Sequence, residues 1–413
     1  MHLDAAAIEQ SEASVGLHST IGETRDSHAE LCLRVLYVTA NAYLRSTTSS
    51  LNAIIRHLQP RGLTPVMVFR EPGPWQSSLA GEGIPCYFDA LNVPGKNRPF
   101  GSMRDILKLA KIVRSQRIDL IHCNEHEHFP LLRQVARWTG VPVVVTLHWN
   151  LDPGFGEWAF RAPYTPSALQ FLSRAQLELS RSSFPPGMPN DCVKLLMSGL
   201  AVDDFLKMGG DGRELRRGWT SDDNTIVLGT ASAIKPRKHV EDFVRLISRL
   251  LKRKLNVVGV IAGGGKFADA DYLQMLKDLV ERERIGDRCL FVGNIDPVTP
   301  FFKAIDISIN TAEMEILSMS LCEAQACGKP TLAYAVGGNP EALPDAWCTV
   351  PFGDIGELEG KAAALVADVE RRRTLGHQAY QHIRRHFDAP VLAERQAAIY
   401  REVMRKRLNG ATP

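Results

Sequence analysis

From Leu33 onward the chain alternates between two spacings of apolar residues. Short, continuous β-branched and aliphatic runs recur at RVLYVTA (34–40), PVMVF (65–69), CYF (86–88), DLIHC (119–123), VPVVVTL (141–147), LQFLS (169–173) and VKLLMS (193–198). Runs with no polar alternation suit strands buried on both faces, as in a parallel sheet. Helical spacing fills most of the intervals, notably at 51–58, 103–115 and 131–139. A polar, Gly-rich stretch at 208–224 reads as a linker with one short helix. The alternation then restarts with TIVLGTASA (225–233), NVVGVIAGG (256–264), RCLFVG (288–293), IDISIN (305–310) and TLAYAV (331–336), and a final helix is expected over 390–407. Strands alternating with helices, twice over, predict an α/β protein of two doubly wound units.

The densest stretch is 311–344, TAEMEILSMSLCEAQACGKPTLAYAVGGNPEALP. It reads as a strand end, a turn, a helix closed by Gly328 and Pro330, a second strand, and a turn at Gly337-Gly338 into a new helix with Pro340 in its first turn. Glu315 falls in the first turn and Glu323 on the helix, between Cys322 and Ala324. A carboxylate among apolar neighbours is costly unless it finds hydrogen-bond donors, which a ligand rich in hydroxyls supplies. The N–H groups of Ile316, Leu317, Ser318 and Met319 face the same crevice, at the C-terminal edge of the sheet where open α/β sheets bind ligands. A capping Glu315 and a salt-bridged Glu323 are the plainer alternative.

The pair Glu315 and Glu323, followed by Ala-x-Ala-Cys-Gly-Lys-Pro and then by Gly-Gly-x-Pro-Glu, resembles the donor-site signature of retaining glycosyltransferases of the GT-B fold, family 4. The resemblance spans about residues 33–405. It implies two Rossmann-like doubly wound domains facing across a cleft, with Glu315 beside the donor sugar and Glu323 holding the nucleotide ribose. Ile316-Leu317-Ser318 stands where that family usually has Gly-Phe-Gly, which changes the shape of the sugar pocket. The implied division is a tail (1–30), an acceptor-side domain (31–205), a donor-side domain (206–389), and a C-terminal helix (390–413) returning to the first domain.

Other clusters are read against this frame. Lys235, Arg237 and Lys238 lie at the C-terminal edge of a predicted strand, forming either a diphosphate site or a solvated basic turn. The family carries a basic pair here. Ala233 replaces the usual Arg, so Lys235 and Lys238 are assigned to the diphosphate, with Arg237 as the substitute. Ser46 and Thr47 belong to a hydroxyl-rich run that can approach the donor or merely cap a helix. His148, in Thr-Leu-His at a strand end, resembles the family histidine that faces the donor sugar. The run His122–His128 looks like a metal cluster on paper, but the family needs no metal, so Glu125 and His126 are assigned to the acceptor rim. Gly263-Gly264-Gly265 lacks the spacing of a dinucleotide cradle. The amphipathic segment 240–254 with its basic end packs on the sheet or attaches to anionic lipid.

Length and composition narrow the class. The chain has 413 residues, 45% hydrophobic and 23% charged, with a net charge of +3, which gives no argument for nucleic acid. Its eight cysteines form no C-x-x-C pair and read as reduced thiols of a cytoplasmic protein. Residues 1–30 carry six acidic residues against one Arg and read as a loosely attached tail. The expected activity is transfer of a sugar from a nucleotide-diphosphate sugar, with no metal or other cofactor, to an acceptor the sequence does not name, a lipid-linked one among the candidates, with at most weak peripheral membrane contact. A GT-B nucleotide-sugar epimerase and an inactive nucleotide-sugar binder are the alternatives.

Overall fold

The computed structural model describes residues 31–94, 103–163, 165–265 and 268–410, apart from the side chain of Ser46. The expected tail, 1–30, lies outside the described residues. Two parallel sheets carry the chain. The first contains β1 (Leu33–Thr39), β2 (Leu63–Phe69), β3 (Cys86–Phe88), β4 (Leu120–Cys123), β5 (Val143–Thr146), β6 (Ala168–Phe171) and β7 (Val193–Leu195), in the order β3-β2-β1-β4-β5-β6-β7. The second contains β8 (Ile226–Ala231), β9 (Val257–Ala262), β10 (Cys289–Gly293), β11 (Ile307–Asn310), β12 (Thr331–Tyr334) and β13 (Thr349–Val350), in the order β10-β9-β8-β11-β12-β13. The strand order reverses between β1 and β4 and between β8 and β11, and such switch points open a crevice at the strands' C-terminal ends.

The continuous apolar strands follow from burial on both sides. In β1, Val35 and Tyr37 face the helices Ser46–Leu58 and Ala389–Leu408, while Leu36 and Val38 face Met103–Ser115 and Phe129–Thr139. One further core surrounds the second sheet. It also takes in Val202 and Phe205, which the sequence division put at the end of the first domain. The helix Ser46–Leu58 starts several residues before the apolar spacing suggests, because the Thr48 hydroxyl accepts from Arg45 N at 2.8 Å and organises its first turn.

The last helix, Ala389–Leu408, lies over the first sheet. Its Tyr400 hydroxyl reaches His122 Nδ1 (2.6 Å) and Tyr37 (3.2 Å), and Gln396 accepts from Gln170 at 3.1 Å. The chain enters this helix through a tight crossing. Leu200 N donates to Phe387 O at 3.1 Å, Ala389 N donates to Leu200 O at 3.0 Å, and a Cβ on Gly199 would sit 1.9 Å from Phe387 O.

The lipid reading of segment 240–254 is corrected here. The helix Val240–Lys252 buries Phe243, Val244, Leu246, Ile247 and Leu250. Its basic end is engaged, with Arg249 and Arg253 on Glu359 (3.3 and 3.5 Å) and Lys252 on Glu283 (2.7 Å). No helix among the described residues is long and apolar enough to cross a membrane.

Candidate active site

The site starts from two loops at the second sheet's switch point. One follows β8 and carries Lys235, Arg237 and Lys238; the other follows β11 and carries Glu315. Two bonds tie them together, Glu313 N to Arg237 O (3.0 Å) and the Thr311 hydroxyl to Lys238 O (3.2 Å). Across this seam Lys238 forms an ion pair with Glu315, and both side chains are largely buried. The Lys235 and Arg237 side chains are exposed and make no hydrogen bond or ion pair among the described residues. The basic turn therefore divides into one ammonium paired with Glu315 and two exposed cations.

The Glu315 loop is held from beneath by the Gly-Gly turn. Gly337 has φ +50°, and a Cβ there would lie 1.6 Å from Glu315 O. A Cβ on Gly338 would lie 2.2 Å from Ile316 O. Only glycine permits this approach. From the other side, Asn310 at the end of β11 accepts from Ala312 N (3.0 Å) and donates to the Ser318 hydroxyl (3.1 Å). Leu317 and Ser318 are buried and Ile316 partly so. The N–H groups of Ile316, Leu317 and Ser318 donate to nothing among the described residues, leaving a row of donors before the helix Met319–Ala326.

The Glu323 side chain, partly buried on that helix, makes no hydrogen bond or ion pair among the described residues, and its withdrawal from water pushes the carboxyl up to about 8. A carboxyl drawn part-way out of water without a partner is costly, and donors from a ligand would offset that cost.

The first sheet contributes His148, just beyond β5. Its Nε2 lies 3.3 Å from Asn124 Oδ1, and its buried Nδ1 has no partner. Burial, then the neighbouring His126, holds its pKa down at about 4, so the ring is neutral near pH 7. Thr47 and Ser50 of the helix Ser46–Leu58 line the same cavity as His148, Asn124 and Thr146.

The acceptor-rim assignment needs correction for Glu125. Its carboxylate accepts from the Thr39 hydroxyl (2.7 Å), Asn124 Nδ2 (2.9 Å) and Ala40 N (3.1 Å), so it braces the ends of β1 and β4. His126 is also buried, with its ring edge-on to Phe155 at 5.4 Å. The histidines of this run diverge: His122 reaches inward to Tyr400 and Thr146, and His128 Nε2 lies 3.0 Å from Arg70. Among the described residues no three His, Cys, Asp or Glu side chains gather as a metal ion requires.

Glu341, the last residue of Gly-Gly-x-Pro-Glu, contacts the other domain. Its carboxylate accepts from Arg174 N (3.0 Å) and Ala175 N (3.2 Å), capping the helix Arg174–Ser180 that follows β6.

Residues 211–382 match the family model for glycosyl transferases group 1, and residues 47–183 match that for the glycosyl transferase 4-like domain. A glycosyltransferase structure from Rickettsia africae superposes with a TM-score of 0.78 at 16% identity, covering 90% of this chain and 98% of that one. The chain is a GT-B glycosyltransferase. It is 26% identical to N-acetyl-alpha-D-glucosaminyl L-malate synthase of Bacillus anthracis over 315 residues, covering 73% of this chain and 80% of the relative. It is 23% identical to a GDP-mannose-dependent monoacylated phosphatidylinositol monomannoside mannosyltransferase of Corynebacterium glutamicum over 304 residues, covering 70% and 77%.

In this glycosyltransferase, sequence reasoning missed Asn310, Asn124 and the contact made by Glu341. Asn310 had a signal, since Asn at a strand end commonly bonds the backbone two residues on. Glu341 had none, because its partners lie in the other domain.

Proposed function

We propose that this glycosyltransferase moves a sugar from a nucleotide-diphosphate sugar to a hydroxyl acceptor, with retention at the anomeric carbon and without a metal ion. The observation that carries the reading is the Glu323 carboxyl, partly buried and without a partner among the described residues, on the helix just beyond the Lys238–Glu315 pair. Ribose hydroxyls would satisfy Glu323. Lys235 and Lys238, with Arg237 in reserve, would meet the diphosphate and stabilise the charge that grows on it as the glycosidic bond breaks. The free N–H groups of Ile316, Leu317 and Ser318, with Met319 opening the helix, would meet the sugar and phosphate side of the donor. Neutral His148, with its unpaired Nδ1, and Thr47 would contact the sugar from across the cleft; Ser46 is assigned to the donor on its sequence position alone. We assign no side chain as a nucleophile; the departing diphosphate would take the acceptor proton in a front-face reaction through an oxocarbenium-like state.

A similarly folded Anabaena protein was solved with UDP and glucose, so UDP-sugars head the donor panel. The names of the relatives point to acceptors ranging from L-malate to a phosphatidylinositol mannoside, and a lipid-linked acceptor is the first class to try. The test is thermal stabilisation by a panel of nucleotide-sugars, then turnover of the stabilising one with acceptor and proton NMR of the product's anomeric centre. Retained configuration supports the reading and inversion overturns it. Turnover without acceptor would indicate an epimerase, and stabilisation without turnover an inactive binder.

A further inference from the structure

The helix Met103–Ser115 packs Ile106, Leu109, Ala110, Ile112 and Val113 into the core of the first domain. Its opposite face presents Met103, Arg104, Leu107, Lys108, Lys111 and Arg114 to solvent within less than half a turn of arc. The helix's one acid, Asp105, is buried and accepts from Asn92 N (3.0 Å) and Nδ2 (2.9 Å). The exposed face thus carries four cations and no carboxylate. Lys108 lies 3.8 Å from buried Asp89, while Arg104 and Lys111 make no ion pair among the described residues.

Large apolar side chains continue the face. Leu107 is 55% exposed, and Trp138, whose carbonyl accepts from Arg114 at 3.0 Å, is 42% exposed. Phe88, whose carbonyl accepts from Lys108, and Val93, next to Asn92, are exposed beside the helix. By contrast, the basic end of Val240–Lys252 is paired with acids and its apolar stripe is core.

We propose that this face of the first domain rests on an anionic lipid surface. Cations interleaved with Met, Leu and Trp on a helix lying flat suit the boundary between headgroups and acyl chains. There the ammonium and guanidinium groups meet lipid phosphates and the apolar side chains displace interfacial water. Phosphate contact alone, as in nucleic-acid binding, gives Met103 and Leu107 nothing to do. The face lies on the flank of the first sheet, while the candidate site opens at the strands' C-terminal edge, so docking leaves the cleft free. The inference does not depend on the nucleotide-sugar reading, and its readout needs no donor.

The experiment is co-sedimentation of the full chain with phosphatidylcholine vesicles, with and without about 30 mol% phosphatidylglycerol. Binding is expected to the anionic vesicles alone and to fall as salt is raised to about 0.5 M, where screening is short-ranged. Arg104→Glu/Lys111→Glu is expected to lower the partition coefficient by at least about tenfold, since each surface cation contributes a factor of roughly five. Leu107→Asp should also weaken binding. Lys277→Glu/Arg282→Glu, the same charge change on an exposed helix of the other domain, should leave it unchanged. Melting temperatures equal to wild type exclude unfolding as the cause. Failure to bind anionic vesicles, equal loss in both double variants, or binding to transfer RNA in place of vesicles would overturn the proposal.

Discussion

At the scale of single residues, Glu323 makes the sharpest statement about pH. Burial raises its folded pKa from 4.5 to about 8. Between these values the folded state keeps a proton that the unfolded state has released, so stability of the free protein falls as pH rises through that window. Glu323→Gln should remove this part of the slope and raise the melting temperature at alkaline pH; parallel pH–Tm curves for the two proteins would place the shift elsewhere. The basic turn gives a second test. Lys238→Ala and Lys235→Ala should each lower kcat/KM for the nucleotide-sugar by about tenfold or more, the scale of one charge-assisted hydrogen bond. Loss confined to Arg237→Ala would move the diphosphate to that side chain. The residue types at these positions were legible in the sequence, because charges in an apolar helix or at a strand's end stand out. Their partners were not. Nothing in the local sequence shows that Lys238 faces Glu315 or that Glu125 is consumed by Thr39, Asn124 and Ala40.

At the scale of elements, the strands were readable because burial on both faces leaves an uninterrupted apolar run. Ends were less so: the run 193–198 yields only β7, Val193–Leu195, and the two-residue β13 is too short to show a pattern. The Gly-Gly turn shows why some short motifs constrain the backbone more than the chemistry. Gly337→Ala would force a Cβ into Glu315 O in a left-handed conformation, so it should displace the Glu315 loop and, on the proposed reading, abolish turnover while the rest of the fold survives. A fully active Gly337→Ala protein would show that the loop's position is immaterial. Glu341 joins this turn to the helix Arg174–Ser180 of the other domain. Glu341→Ala leaves two helix N–H groups uncapped, at a cost of about 1 kcal/mol to the contact between domains. The expected result is a higher KM for donor with a smaller change in kcat; an unaltered KM would make the contact incidental to catalysis.

At the scale of the whole molecule, two sheets with facing C-terminal edges divide the work. The second presents cations and carboxylates, the first a neutral histidine and hydroxyls, and the crossing at Leu200 and Phe387 links them. The repeated strand–helix alternation made this plan legible. The contacts that set one half against the other were not, since they join residues such as Arg174 and Glu341, far apart in the chain. If Lys235, Arg237 and Lys238 answer the diphosphate's charge as proposed, turnover is expected to persist in excess chelator; its loss, with recovery on adding a divalent cation, would show that a metal takes part. The central claim is that Glu323 holds the nucleotide of a sugar donor, and calorimetric titration tests it most directly. The nucleotide-sugar that most stabilises the wild type would be titrated into wild type and into Glu323→Gln. The account predicts binding to wild type and a loss of about 1–3 kcal/mol in the variant. Equal affinity in the two proteins would contradict it.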